Sequence, residues 1–293
     1  MKTHLDCMPC FVRQALEAAR LATDDPVRQE EILRHALRLA AAQDLSQPPP
    51  VMGQALHRLI RRLSGDIDPY REAKRRANQA ALTLYPKLKA LVQESPRPFE
   101  AAVRVAIAGN IIDMAAFPEL SAGEIDRALE EALEAPLDGK AVACLEERVG
   151  QAAEILFLAD NAGEIVFDRV LIEELPTERT TVVVRGSPVL NDATLEDAEA
   201  VGLTEVVPVI GNGSDAPGTL LRECSSELRQ RVARATLAIA KGQGNYETLS
   251  ELDARAFFLF RVKCPVIAEE IGCPVGGLVI CQGTGRPLRG RPR

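Results

Sequence analysis

From Glu154 onward the chain repeats one pattern: a short, β-rich apolar run, a polar turn, then in most cases a helix-like stretch. The runs are "EILFLA", "TTVVVR", "EVVPVI", "TLAIAK", "FFLFRV" and "GLVIC". Apolar runs of this length fit strands covered on both faces, and the intervening helical patterns fit crossover connections. The alternation predicts an α/β fold with a mostly parallel sheet, a Rossmann-like three-layer α/β/α domain over residues 151–284. Doubly wound sheets bind ligands outside the carboxyl ends of their strands. The residues that terminate the strands are therefore the ones to read for chemistry.

The first half of the chain follows a different grammar. "CFVRQALEAARLA" spaces its apolar residues by three and four, as an amphipathic helix does. "PVRQEEILRHALRLAAA" begins with Pro26 and carries acids early and bases late, matching the helix dipole. "PPPVMGQALHRLIRRLSG" has proline at its start and Gly65 at its end. Helical patterns continue through "YREAKRRANQAALTLYPKLKALVQES" and "FEAAVRVAIAGNIIDMAA". The expected organisation is a helical N-terminal region over 1–95 and a helical bundle segment over 96–150 packing on the sheet domain. The basic, Gly- and Pro-containing residues 285–293 are expected to form a disordered tail.

Composition narrows the function. No apolar run reaches the roughly 18 residues of a membrane span, and "MKTHLDCMPC" lacks a signal-peptide core, so a cytoplasmic protein without a membrane partner is expected. A net charge of -7 argues against nucleic acid as a partner. Seven cysteines without a secretory signal read as reduced thiols. With no tryptophan, the core must be largely aliphatic.

Three strand ends carry polar residues. The first run stops at Asp160 and Asn161; the second leads through Arg185 to Asn191 and Asp192. An Asp, an Asn and a second Asp from adjacent strand ends make an all-oxygen donor set suited to Mg²⁺ or Mn²⁺. The plainer alternative is that Asn191 or Asp192 caps one helix and Asp160 begins another. "AKGQGN" places Lys241 and Gly242 at a third end, where an ammonium and backbone amides can hold phosphate. "GNGSDAPGT" reads as a polar turn. Gly109 and Asn110 interrupt an apolar helix, which points to a close approach, and Asp113 shares a face with Asn110. Cys7 and Cys10 of "CMPC" are structural thiols or half of a second metal site. His35 and His57 read as ordinary helix residues.

The segments "LADNAGEIVFD", "GSPVLNDAT", "NGSDAPGT", "AKGQGN" and "KCPVIAEEIG" together resemble the metal-dependent damage-control phosphatases, formerly domain of unknown function 89. "DCMPCFVRQAL", "DPYREAKRRAN" and "AIAGNIID" resemble the N-terminal half of the subgroup bearing a CxxC. The resemblance spans nearly the whole chain in order. It implies divalent-metal-dependent hydrolysis of small phosphorylated metabolites such as sugar phosphates or phosphopantetheine-like esters. It implies Asp160, Asn161 and Asp192 as metal ligands, Asp160 and Asp192 being catalytic, with Mg²⁺ or Mn²⁺ preferred and Co²⁺ or Ni²⁺ accepted in vitro. Lys241 with Gly242 falls on the family's phosphate contact, and Asn110, Asp113 and Lys263 match polar positions around its pocket. Thr236 stands where members often carry an acid. The alternatives are an S-adenosylmethionine-dependent methyltransferase, which would want a richer glycine turn after the first strand, and a non-catalytic helical interaction protein.

Overall fold

In a computed structural model of the chain, which describes residues 1–109, 127, 129–131 and 133–284, the change of grammar near residue 150 is a change of architecture. Five helices come first: α1 (Cys7–Ala22), α2 (Pro26–Ala41), α3 (Pro49–Ser64), α4 (Arg71–Glu94) and α5 (Pro98–Ala108). Their ends follow local chemistry. Asp25 accepts a hydrogen bond from the Val27 amide ahead of Pro26, and Gly65 ends α3 in the left-handed region at φ 78°. Helix α6 (Gly139–Gln151), capped by Asp138, then delivers the chain to the sheet.

The six expected runs are all strands: β1 (Ile155–Leu158), β2 (Thr180–Val184), β3 (Val209–Gly211), β4 (Leu237–Lys241), β5 (Ala256–Arg261) and β6 (Leu278–Gln282). The helices between them are α7 (Glu164–Ile172), α8 (Leu195–Ala200), α9 (Ser226–Arg234), α10 (Gln243–Leu249) and α11 (Pro265–Ile271). Strand order is β3-β2-β1-β4-β5-β6, parallel except for the β5–β6 pair. Order reverses between β1 and β4, so the crevice at their carboxyl ends is the topological switch point. Leu158 lies opposite Val183 on one side and Ala240 on the other, bringing Asp160 and Lys241 to the same rim.

Alternate side chains fill two aliphatic cores. Ile155, Phe157, Val182, Ile239 and Leu259 belong to the cluster shared with α4–α7. Leu156, Leu158, Val183, Phe258 and Phe260 face Leu228, Tyr246 and Ile267. Helices α1–α3 keep a small core of their own, built on Ala15, Ala19, Ile32, Leu56 and Ile60. Gly109 follows the last residue of α5, and a Cβ there would stand 2.9 Å from Phe167 Cβ and 3.2 Å from Glu164 Cγ. Its missing side chain lets α5 come down onto α7. Thr236 ties the start of β4 to β1: its hydroxyl accepts from the Ala153 and Glu154 amides and donates to the Glu154 carbonyl. Among the described residues no helix is long and apolar enough to cross a membrane.

Candidate active site

The loops that leave β1 and β2 are stitched together before any side chain acts. The Ala193 amide donates to the Asp160 carbonyl and the Ala162 amide to the Asn191 carbonyl, each at 2.8 Å, leaving Asn161 and Asp192 opposite each other as an antiparallel bridge. Asp160, Asn161 and Asp192 are thereby gathered on one wall of a cleft of about 560 Å³. Neither aspartate serves as a cap. Helix α8 is capped by Thr194 and Asp197, and the N-cap of α7 is Gly163. The plainer reading of these carboxylates as helix caps therefore fails.

Buried partners fix the two aspartates. Arg185, 2% exposed, donates from Nε to Asp192 Oδ2 at 2.6 Å, and its Nη2 lies 3.5 Å from Asp160 Oδ1. Asn245 donates to the carbonyls of Ala159 and Lys241, tying the ends of β1 and β4, and its Oδ1 accepts from Thr219. Gly242, at φ 79°, passes so close to Asp160 that a Cβ would fall 1.9 Å from Oδ2. Only glycine leaves room for the carboxylate there. Leu190, at φ 48°, holds an uncommon left-handed conformation on the cleft wall beside Asn191 and Asp192.

The electrostatics favour a cation. Asp160, Glu164, Asp168 and Asp192 are all buried, four acids against the two buried cations Arg185 and Lys241, with exposed Lys263 at the cleft. Burial first, then the charges of Glu164 and Asp192, push the Asp160 carboxyl up to about 7. Burial raises Asp192 as well, against the pull of Arg185. A set of carboxylates that resists full ionisation is the environment a divalent ion relieves, and the donors are hard oxygens. Asn161 adds a third oxygen donor to the candidate set: its Nδ2 donates to Asp160 Oδ2 at 2.9 Å and Glu164 Oε2 at 3.0 Å, which leaves Oδ1 as the atom that can face a cation. Among the described residues no group of three or more His, Cys, Asp or Glu side chains is arranged to hold a metal, so the candidate set depends on this amide.

Two expected phosphate contacts are corrected. Lys241 is fully buried and does not line the cleft; its ammonium donates to the Ala106 carbonyl, Glu164 and Asp168. All three protons are committed, and none is left for phosphate. The Gly242 amide is likewise taken, by the Leu259 carbonyl. Lys263 does line the cleft, and its charge favours the ionised forms of Asp160 and Asp192 against the effect of burial. Asn110 and Asp113 lie outside the described residues. Cys7 and Cys10 open α1 on the opposite wall, with burial raising the Cys7 thiol; among the described residues no third ligand converges on the pair. His57 is buried, and burial with the nearby Arg61 pushes it down to about 3, so it is neutral. His35 lies within α2.

Sequence reasoning missed a brace. In "DPYREAKRRAN", buried Lys74 pairs with Asp68 at 3.0 Å and Asp197 at 3.3 Å. Asn78 accepts from the Gly163 amide at 2.6 Å and donates to Asp197 at 2.9 Å. This one helix turn of α4 therefore holds the start of α7 and the cap of α8 at once. The spacing of Lys74 and Asn78, four apart on one helical face, is the signal that could have found it.

The damage-control phosphatase ARMT1-like domain is the family model that matches, over residues 3–279. An uncharacterised protein of Methanocaldococcus jannaschii is 36% identical over 294 residues, covering 96% of each chain. A damage-control phosphatase of Pyrococcus horikoshii is 34% identical over 286 residues, covering 95% of this chain and 97% of its own. One from Archaeoglobus fulgidus is 33% identical over 290 residues, covering 95% and 98%. The crystal structure of a DUF89 family protein from Pyrococcus horikoshii superposes with a TM-score of 0.88 at 32% identity, covering 97% of this chain and all of that one.

Proposed function

The chain belongs to the damage-control phosphatase ARMT1-like domain family, and on that premise we propose that it is a divalent-metal-dependent phosphatase of small phosphorylated metabolites. The observation that carries this reading is the meeting of Asp160, Asn161 and Asp192 at the switch point of the sheet, on the wall of the cleft. Mg²⁺ or Mn²⁺ is the fitting ion for this oxygen set, with Co²⁺ and Ni²⁺ as substitutes in vitro. When bound, such an ion supplies charge neutralisation at the phosphoryl group and polarises one of its oxygens.

The protein's own groups do the rest. Asp160 and Asp192 hold their positions through Arg185 and the paired backbone bonds, so no reorganisation is needed as charge develops. Exposed Lys263 offers the cleft a cation for the phosphate, the role that buried Lys241 cannot fill. The half-apolar wall contributed by Phe11, Pro49, Pro50 and Tyr70 leaves room for the alcohol part of a monoester such as a sugar phosphate or a phosphopantetheine-like compound. The turn after β1 carries an Asp-Asn pair where a methyltransferase would carry glycines, which favours the phosphatase over that alternative.

The direct test is phosphate release from a panel of small phosphate monoesters by metal-stripped protein, with Mg²⁺, Mn²⁺, Co²⁺ and Ni²⁺ restored singly. Release is expected only with metal, and Asp160→Ala or Asp192→Ala is expected to lower it by about 10³-fold or more. Release that persists without metal, or in both variants, would sink the proposal.

A further inference from the structure

Glu164 and Asp168 stand four residues apart, on one face of α7, and the Lys241 ammonium lies between them. We infer that Lys241 and Glu164 are positioning residues that fix which face of the Asn161 side-chain amide meets a metal ion; the inference rests on the metal-dependent reading above. An ammonium can only donate, and its three protons go to Glu164 Oε1 at 2.7 Å, to Asp168 and to the Ala106 carbonyl at 2.7 Å. Glu164 is thereby held with Oε2 on Asn161 Nδ2, 3.0 Å away. The other Nδ2 proton goes to Asp160 Oδ2. Both neighbours of Nδ2 are carboxylate acceptors, so the amide has one orientation, and only its carbonyl oxygen is left for a cation. Turned over, it would offer N–H groups that repel the ion. A lysine meant for substrate would be left with free protons; this one is sealed beneath the site, with α5 lowered onto Glu164 by the absence of a Cβ at Gly109.

The test is calorimetric titration of Mn²⁺ into metal-stripped, full-length protein without substrate. The double substitution Lys241→Met with Asp168→Leu removes a buried ion pair at constant net charge, and apolar replacement of such pairs is well tolerated. Mn²⁺ affinity is expected to fall by about tenfold or more, the usual consequence of losing an outer-shell partner. Affinity within about twofold of wild type overturns the inference even if the melting temperature falls, since that marks a purely structural pair. Should the double variant not fold, Glu164→Gln is compared with Asp168→Asn. Each removes one negative charge, but a glutamine must turn its oxygen to Lys241 and its amine to Asn161, flipping the amide. The Glu164→Gln loss is expected to exceed the Asp168→Asn loss by about tenfold, and equal losses overturn the inference. Wild-type protein that takes up no Mn²⁺ overturns the metal reading and this inference together; wild-type uptake with unchanged variants overturns this inference alone.

Discussion

The cleft has two unlike walls. At the strand ends the buried side chains are tied to one another: Asp192 to Arg185, Asn161 to Asp160 and Glu164, Lys241 to three acceptors, while Arg185 Nη2 and Asp168 Oδ2 have no hydrogen-bond partner among the described residues. On the side of α1–α3, Cys10 is exposed, Cys7 half-buried, and the helices keep a separate core. The bonds from that wall to the sheet domain include those of Arg58, Arg61 and Gln54 to Asp215 and of Arg61 to the Pro188 carbonyl, reaching 127 to 161 residues along the chain. A reacting centre needs positions fixed to fractions of an ångström, and a buried, interconnected polar network provides that. A wall that only shapes the space for a leaving group does not need it. Substitutions at the strand ends should therefore alter turnover, and substitutions on the helical wall should mainly alter selectivity.

Gly242→Ala should produce the largest effect of a change that touches no polar group. Its Cβ would fall 1.9 Å from Asp160 Oδ2, at a φ of 79° that alanine adopts only with strain. The strained backbone costs about 1–3 kcal/mol, and an Asp160 displaced by about 1 Å costs on the order of 100-fold in turnover. Thermal melts and kcat measured side by side would show it. A variant with normal turnover would mean the strand-end wall is more forgiving than its packing suggests.

Much of this wall is legible in the sequence. Parallel strands buried on both faces read as continuous apolar runs, and polar residues at their ends mark the rim, so Asp160, Asn161 and Asp192 stand out. The role of Lys241 does not, because its partners Glu164 and Asp168 look like the outer face of an amphipathic helix. Helix α7 is in fact buried, between the sheet, α4 and α5, so its acids turn inward and require a cation from 73 to 77 residues away. Asn78 is hidden for a similar reason, its partners lying 85 and 119 residues away. The left-handed backbone of Leu190 carries no sequence signal, since leucine seldom adopts it.

The same wall sets a pH dependence in which metal should reverse the sign. Burial and neighbouring charges raise Asp160 to about 7, above the unfolded value of about 3.9. A carboxyl raised on folding contributes stability that is fully present below about pH 4 and is lost as pH climbs to about 7. Metal-free protein should therefore melt at a lower temperature near pH 7.5 than near pH 5. A bound divalent ion favours the ionised carboxylates, so the melting temperature gained on adding Mn²⁺ should grow over the same interval. A gain that shrinks with rising pH would mean the buried carboxylates are not the groups that take up the ion.

The smallest effect belongs to the helical wall, and it sharpens the contrast by being small. Cys7→Ser with Cys10→Ser removes both thiols of the CxxC. The ligand form of cysteine is the thiolate, and burial raises the Cys7 thiol away from it. Cys10 is exposed, and Arg13 Nη2 donates to its sulfur from 3.5 Å. Among the described residues no third side chain joins them to make a metal cage. The double variant should therefore bind the same number of Mn²⁺ ions per chain as wild type, with kcat changed by less than about twofold and any change confined to KM, as expected for uniform binding. Elemental analysis of both proteins, beside steady-state kinetics on the best substrate of the panel, reads all three quantities. If the variant lost a metal equivalent or most of its turnover, the thiol pair would be part of the reacting centre, and chemistry would have to be assigned to both walls of the cleft.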